Sequence, residues 1–317
     1  MTSTTFRYTM CGLPILSDFE LPELVDTPSW TDDTAPAPLR VTSRIREELP
    51  PSFEIDGVAN FRRMDEPLGG SEFVADGVAR LTTAGDGSAI VVEYRSSANP
   101  RTLSHLVVDQ GVPRALTERG AMVLHATCVA SNGRGLGFLG STGTGKSTFA
   151  MGLVGDGALL VADDCLVLQA EGDLLFALPS YASSRLRNDS LAALDLENDC
   201  APASPGKQRV FSAALREPVP MAALFVLNRR ADDSKPAATR LHGTAALWAI
   251  ALHAFSSNGV APENALIALA ILRPIVERVP IFQLSYPSGF DGLGAARVEA
   301  LRVLAESDTA NRQEAIP

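Results

Sequence analysis

Cysteine is scarce in this 317-residue chain. The four residues Cys11, Cys128, Cys165 and Cys200 are widely spaced and form no CxxC pair. That spacing supports neither a zinc site nor a disulfide framework, and the thiols are read as reduced and mostly buried in a cytoplasmic protein. Long hydrophobic runs are missing too. The most apolar stretches, Met221–Leu227 and Ala265–Leu272, are too short to span a bilayer. A surplus of positive charge is also absent. With 27 Lys+Arg against 37 Asp+Glu the formal charge is −10, and no Lys or Arg run offsets it, so a general nucleic-acid binder is not expected. Met1–Met10 is polar and lacks an apolar segment followed by a cleavage site, so no signal peptide is expected. What the chain does have is apolar content, 46% of residues and evenly spread. That excludes disorder as the main state and leaves ample core for one large domain or two.

The first third reads as β-rich. Phe6–Ile15, Leu39–Ile45, Phe73–Val74, Val78–Leu81 and Ala89–Tyr94 are short apolar or alternating runs. Turn signals at Asp56-Gly57, Gly69-Gly70, Asp76-Gly77 and Gly85-Asp86-Gly87 separate them, which predicts hairpins and an antiparallel sheet. Asp26–Pro38, rich in Pro, Thr and Asp, predicts an exposed loop. Near Asn99-Pro100 the pattern changes, and a domain boundary is expected there. Arg101–Arg119 has helical spacing. Ala121–Val129 and Leu136–Leu139 read as strands, Lys146–Val154 as a helix, and Ala158–Val161 as the next strand. Leu166–Gln169 and Leu174–Ala177 read as a hairpin, Pro202–Gly206 as a loop and Met221–Asn228 as a buried strand. Gly243–Phe255 and Pro262–Ile275 read as helices, Ile281–Ser285 as a late strand and Gly294–Ala305 as a terminal amphipathic helix.

The strongest signal is the run Gly140, Ser141, Thr142, Gly143, Thr144, Gly145, Lys146, Ser147, Thr148, which fits GxxxxGK[ST] between a strand and a helix. Glycines let the backbone turn and approach a ligand with no Cβ in the way. Successive N–H groups then converge on phosphate oxygens, and the following helix adds the positive end of its dipole. Lys146 would supply a point charge to the β/γ-phosphates and Ser147 a hydroxyl to Mg²⁺. The motif alone leaves hydrolysis, transfer and plain binding open.

Sixteen residues after Ser147, the apolar Leu159–Ala162 ends in Asp163-Asp164, as a Walker-B-type strand does. Two carboxylates at a strand end can divide labour, one holding the metal and the other accepting a proton. His125 lies on the strand before the loop. His105, His242 and His253 carry weaker signals, and His253 follows helical spacing and reads as a packing residue.

Leu124-His125-Ala126, the loop Gly140–Thr148, and Leu160–Asp164 in this order resemble the HPr kinase/phosphorylase family over roughly His125–Val167. In that family a His-bearing strand precedes the P-loop and a Val-Ala-Asp-Asp strand follows one short helix later. The resemblance implies an α/β fold with α+β tendencies, related to the ATP-using phosphoenolpyruvate carboxykinases. It would comprise a P-loop kinase domain over 101–317, preceded by a small β-rich domain over 1–100 whose position alone suggests substrate or partner binding. The implied cofactors are ATP and Mg²⁺, and the implied acceptor is a serine hydroxyl. By the same resemblance His125 would stand beside the γ-phosphate, and Asp163 would take the serine proton while Asp164 joined Ser147 around the metal, or the two aspartates would exchange these roles. Lys207 and Arg209, on a Gly/Pro-rich loop, would reach phosphates. Arg185 and Arg187 would bind an acidic or C-terminal carboxylate group.

Two departures narrow the expectation. Arg216-Glu217-Pro218-Val219-Pro220 lacks the glycines of the phosphocarrier kinases' second signature. The start, Tyr8–Leu13, Ser17 and Leu21-Pro22-Glu23-Leu24, looks like the shorter relatives encoded with lasso-peptide biosynthesis, which phosphorylate a serine at the C-terminal end of a precursor peptide. The expected function is therefore an ATP- and Mg²⁺-dependent serine kinase acting on a lasso precursor peptide, with no nucleic-acid or membrane partner. The alternatives are a phosphocarrier serine kinase, a non-catalytic nucleotide-binding regulatory module and a plain ATPase. Assembly into a homo-oligomer stays open.

Overall fold

The computed structural model describes residues 4–24, 36–51, 54–55, 58–59, 61–64, 69–181, 183–196, 200–204, 206–212, 215–232, 234–255 and 265–314. It is a mixed α/β protein with several sheets. The chain divides into two compact units. The first comprises Met1–Val123, Pro179–Tyr181 and Ala254–Ile271, and the second Leu124–Leu178, Ala182–His253 and Leu272–Pro317.

The first unit is built on a seven-stranded sheet, in the spatial order Phe6–Met10, Leu13–Ser17, Leu39–Ile45, Ala89–Tyr94, Ala79–Thr83, Ser71–Ala75, Phe61–Arg63. The stretch Phe6–Ile15, expected as one run, turns back on itself at Cys11-Gly12. Both residues have positive φ, +52° and +72°, as a two-residue hairpin with primed turn geometry requires. The sheet is not wholly antiparallel: Leu39–Ile45 runs parallel to both of its neighbours. The Asp76-Gly77 and Gly85–Gly87 signals do mark hairpin turns. The Asp56-Gly57 signal and most of the Asp26–Pro38 loop lie outside the described residues.

The helical segment starts where Asn99 caps it, its side chain accepting from the Arg101 N–H at 2.9 Å, with Pro100 in the first turn. It runs through Pro100–Leu106, a wider π-type turn at Val107–Gly111, and Val112–Glu118. The expected boundary near residue 100 moves to Val123, because this segment packs into the first unit. Val107, Val108 and Val112 are buried, and Gly111 lets the backbone approach Ile90 so closely that a Cβ there would lie 2.9 Å from the Ile90 Cδ1.

The second unit centres on three parallel strands, Arg134–Leu139, Val219–Arg230 and Ile281–Pro287. Ala126–Ser131 flanks the first of these antiparallel, and Leu159–Ala162 pairs beyond it. The predicted hairpin forms as Leu166–Glu171 and Leu174–Leu178. Helices Lys146–Gly155 and Leu293–Glu314 cover one face of the central strands. Phe138 lies 4.8 Å from Phe149 and 5.6 Å from Phe225 between ring centroids, in a core that also holds Leu284, Tyr286, Ala296 and Ala300. The expected Pro202–Gly206 loop is instead largely the strand Cys200–Ser204. It pairs with Lys207–Phe211, which pairs in turn with Ser183–Arg187, making a separate three-stranded sheet. Helices Gly243–Ala251 and Ala265–Arg278 follow the predicted periodicity, while Pro262 falls outside the described residues.

Candidate active site

Every residue of the candidate site belongs to the second unit. The loop after Arg134–Leu139 turns tightly, with the Thr144 N–H and hydroxyl both donating to the Ser141 carbonyl at 3.1 and 2.7 Å. Gly143 and Gly145 sit at φ +86° and +93°, in the region only glycine enters at no cost. Gly145 then leads directly into helix Lys146–Gly155, whose N-terminus faces the loop. Ser141, Thr142 and Gly143 are exposed, and Lys146 is buried.

The Lys146 ammonium donates to the Gly140 carbonyl at 2.9 Å and to His125 Nε2 at 3.1 Å. With Nε2 accepting, the ring proton lies on Nδ1, which donates to the Asp164 carbonyl at 3.2 Å. His125 interrupts the strand between Met122–Leu124 and Ala126–Ser131, and its N–H is taken by the His253 carbonyl at 2.7 Å. Burial lowers the Lys146 pKa. Asp164 and Asp163 pull it back up, and the Lys207 charge pushes it down.

The two aspartates take different partners. The Cys165 N–H bonds the Asp163 carbonyl at 2.8 Å around Asp164, which adopts a left-handed φ of +60°. This sharp turn sends Asp163 inward. Its carboxylate is fully buried and accepts from the Thr127 hydroxyl at 2.6 Å and the Ser147 hydroxyl at 2.9 Å, both on Oδ1. Asp164 is part-buried, pairs with the Arg185 guanidinium at 2.8 Å and keeps Oδ1 3.9 Å from His125 Nδ1. Burial, then the Asp164 charge, raises the Asp163 pKa to about 6, against the opposing hydrogen bonds of Thr127 and Ser147 and the charge of Arg185. The pairing of Ser147 with Asp163 corrects the arrangement put first from the sequence, with Asp164 beside Ser147, and matches the exchanged one. The Thr148 hydroxyl faces away from the loop and donates to Ser190 at 3.0 Å.

No family model matches the chain, and no curated protein matches it. The solved structure of the Hpr(Ser) kinase/phosphatase from Coxiella burnetii covers 61% of this chain with 98% of its own length, at 14% identity and a TM-score of 0.31.

The basic candidates converge on the three-stranded sheet. Arg185 stands opposite Arg209 and Arg187 opposite Lys207, so all four cations share one face, since side chains alternate along a strand. The other face carries Leu186 and Val210, buried against Met151 and Leu191. Thr127 and Arg229 lay outside the sequence reading, and His253 was read only as a packing residue. Thr127 is signalled only by its strand spacing of two from His125. His253 supplies a carbonyl to His125, and burial, with the Lys146 and His125 charges, pushes its own pKa down to about 4. Arg229 brings Nη1 to 3.5 Å from the Gly143 carbonyl. Among the described residues no three His, Cys, Asp or Glu side chains group as a metal centre, and no helix is long and apolar enough to cross a membrane. The all-oxygen pair of Ser147 and Asp163 fits a hard cation that keeps waters and shares phosphate ligands, as Mg²⁺ does.

Proposed function

We propose that the protein is an ATP- and Mg²⁺-dependent kinase that phosphorylates a serine hydroxyl of a peptide, the serine at the end of a lasso precursor. The observation that carries the reading is the aspartate pair with divided partners beside a P-loop: Asp163 bonded to Ser147 at 2.9 Å, and Asp164 paired with Arg185 at 2.8 Å. A site that only binds nucleotide needs the first carboxylate and has no use for the second. The sequence resemblance supports a serine acceptor.

In this reading Ser147 and Asp163 would hold Mg²⁺, which when bound would supply charge neutralisation at the phosphates. Lys146 leaves the Gly140 carbonyl and His125 to meet the β- and γ-phosphates. Asp164 accepts the serine proton as the serine oxygen bonds the γ-phosphorus and the bond from that phosphorus to the β-bridging oxygen breaks. These assignments are the exchanged form of the roles that the sequence suggested for Asp163 and Asp164. Arg185 holds Asp164 in position through the 2.8 Å pair. In a loose transition state, positioning and charge neutralisation supply most of the rate, which suits a site rich in fixed charges. The cationic face of Arg185, Arg187, Lys207 and Arg209 suits the terminal carboxylate of the acceptor, next to the serine to be modified.

The test offers γ-labelled ATP with a serine-ending precursor peptide and, in parallel, a phosphocarrier protein. Label is expected on the peptide. Asp164→Asn should lower transfer about 10²-fold or more while ATP still binds, as loss of a general base does. Lys146→Ala should lower transfer and ATP affinity together. Full transfer in both variants would defeat the mechanism. Tight ATP binding with no labelled acceptor would favour a regulatory module.

A further inference from the structure

The ends of the strands Val219–Arg230 and Ile281–Pro287 lie beside the loop, away from the aspartates. Resting on the nucleotide reading above, we propose that Asn228, Gln283 and Ser285 form the nucleoside subsite of this site and select adenine, while Arg229, on the other face of the same strand, serves the triphosphate beside Gly143.

Direction comes first. The acids, Lys146, His125 and the cationic sheet all lie on the side of Arg134–Leu139 that carries Ala126–Ser131 and Leu159–Ala162. Asp163 reaches Ser147 from that side, so the reacting end of a bound triphosphate points there. The nucleoside must then leave on the opposite side, where Val219–Arg230 and Ile281–Pro287 run parallel to the loop strand. Ligands of such sheets sit beyond the carboxyl ends of parallel strands. Leu139 is level with Val226, and Val226 with Gln283, so Asn228 and Ser285, which are level with each other, stand beyond the start of the loop. Arg229, exposed, already lies against the loop at Gly143.

Chemistry comes second. The Asn228 amide donates to the Ser285 hydroxyl oxygen at 3.0 Å, and the Gln283 amide donates to the same oxygen at 3.2 Å. Two incoming donors occupy the oxygen's lone pairs, so its one hydrogen must point elsewhere. Asn228 and Gln283 are exposed, and among the described residues neither amide oxygen has a protein partner. A hydroxyl has a single hydrogen, so at most one of the amides could turn round. The other must keep its NH₂ on Ser285 and its oxygen outward. The cluster therefore presents a carbonyl acceptor beside a hydroxyl donor. Adenine offers the complement, an amino donor at N6 beside a ring-nitrogen acceptor. Guanine places a carbonyl oxygen where N6 would be, against the outward amide oxygen.

Calorimetric titration of the full chain in Mg²⁺, with ATP, GTP and inorganic tripolyphosphate, tests this. The intact protein should bind ATP about tenfold or more tightly over GTP, as unpaired or opposed polar groups discriminate. The pair Asn228→Ala with Ser285→Ala should weaken ATP about tenfold and leave tripolyphosphate unchanged. Arg229→Ala should weaken both. Equal ATP and GTP affinity, or a double variant that binds ATP normally, would overturn the subsite and leave the kinase reading standing. A double variant that also loses tripolyphosphate would overturn it as well, since the strand ends would then act by holding the loop. Binding of neither ATP nor tripolyphosphate by the intact protein would instead bring down the nucleotide reading itself.

Discussion

Asp163 is a buried acid whose ionisation opposes folding until a cation arrives. Its pKa stands raised from 3.8 to about 6, chiefly by burial and next by Asp164. Below about pH 3.8 folded and unfolded chains both hold the proton, and no penalty exists. As pH rises towards 6 the unfolded chain has lost the proton that the folded one retains, so stability falls. Above about 6 the whole penalty is present, on the order of 1–3 kcal/mol. Asp163→Asn keeps an oxygen for the Thr127 and Ser147 hydroxyls and removes the charge. The melting temperature of this variant, without Mg²⁺ and nucleotide, should exceed that of the native protein by a margin that widens by a few degrees between pH 5 and 7.5. Transfer activity should be lost at the same time. A margin that stays constant with pH would show that the acid is already ionised without strain.

At the scale of elements, the site is held by close approach between strands as much as by the loop. Gly137 lies in the middle of Arg134–Leu139, level with Leu224 of the neighbouring strand. A Cβ on Gly137 would meet the Leu224 Cδ2 at 2.5 Å and the Leu166 Cδ2 at 3.2 Å. Leu224 and Leu166 are both fully buried, so neither moves without displacing others. Gly137→Ala should cost about 1–3 kcal/mol, read as a lower urea midpoint, with ATP affinity of the folded protein near normal. An unchanged midpoint would mean that the core there has slack. The same strand explains what was legible in the sequence. The loop, its strand and its helix are local in the chain, and their residue types follow from backbone geometry that glycine alone satisfies. The Asp163-Asp164 pair was visible as residues but not as roles. Which one faces Ser147 depends on the turn at Asp164, a left-handed φ that no spacing rule announces. Pro202–Gly206 read as a loop because proline and glycine mark breaks, yet Cys200–Ser204 forms a strand at the sheet's edge, where proline is tolerated. Arg229 was silent and His253 read only as a packing residue, because their partners Gly143 and His125 lie far away in sequence.

At the scale of the whole molecule, the first unit is not a contiguous piece of chain. It draws on Pro179–Tyr181 and Ala254–Ile271 as well as Met1–Val123. The contacts made by those later pieces are specific. The Cys11 N–H bonds the Pro179 carbonyl at 3.1 Å, next to the hairpin turn. The buried Tyr181 hydroxyl donates to the buried Asp109 carboxylate at 3.0 Å, within the π-type turn. The Phe255 ring lies 5.5 Å from the guanidinium carbon of Arg114, which is buried and also faces Phe61 at 4.4 Å and Phe73 at 5.2 Å. Burial, and next the charge of Arg63, lowers the Arg114 pKa to about 9, so this cation depends for stabilisation on its aromatic surroundings and on the Gln110 carbonyl and side-chain oxygens, to which it donates at 2.7 and 2.8 Å. A fragment ending at Val123 would lose Tyr181, Pro179 and Phe255 together. Each buried polar group deprived of a partner costs about 1–3 kcal/mol, against a total stability on the order of 5–15 kcal/mol. The fragment 1–123 is therefore expected to be marginal, with a shallow urea transition at a midpoint well below that of the full chain. Tyr181→Phe in the full chain isolates one part of this loss and should lower stability by about 1–3 kcal/mol. A fragment as stable as the full chain would mean that the later pieces only pass over a unit already complete without them.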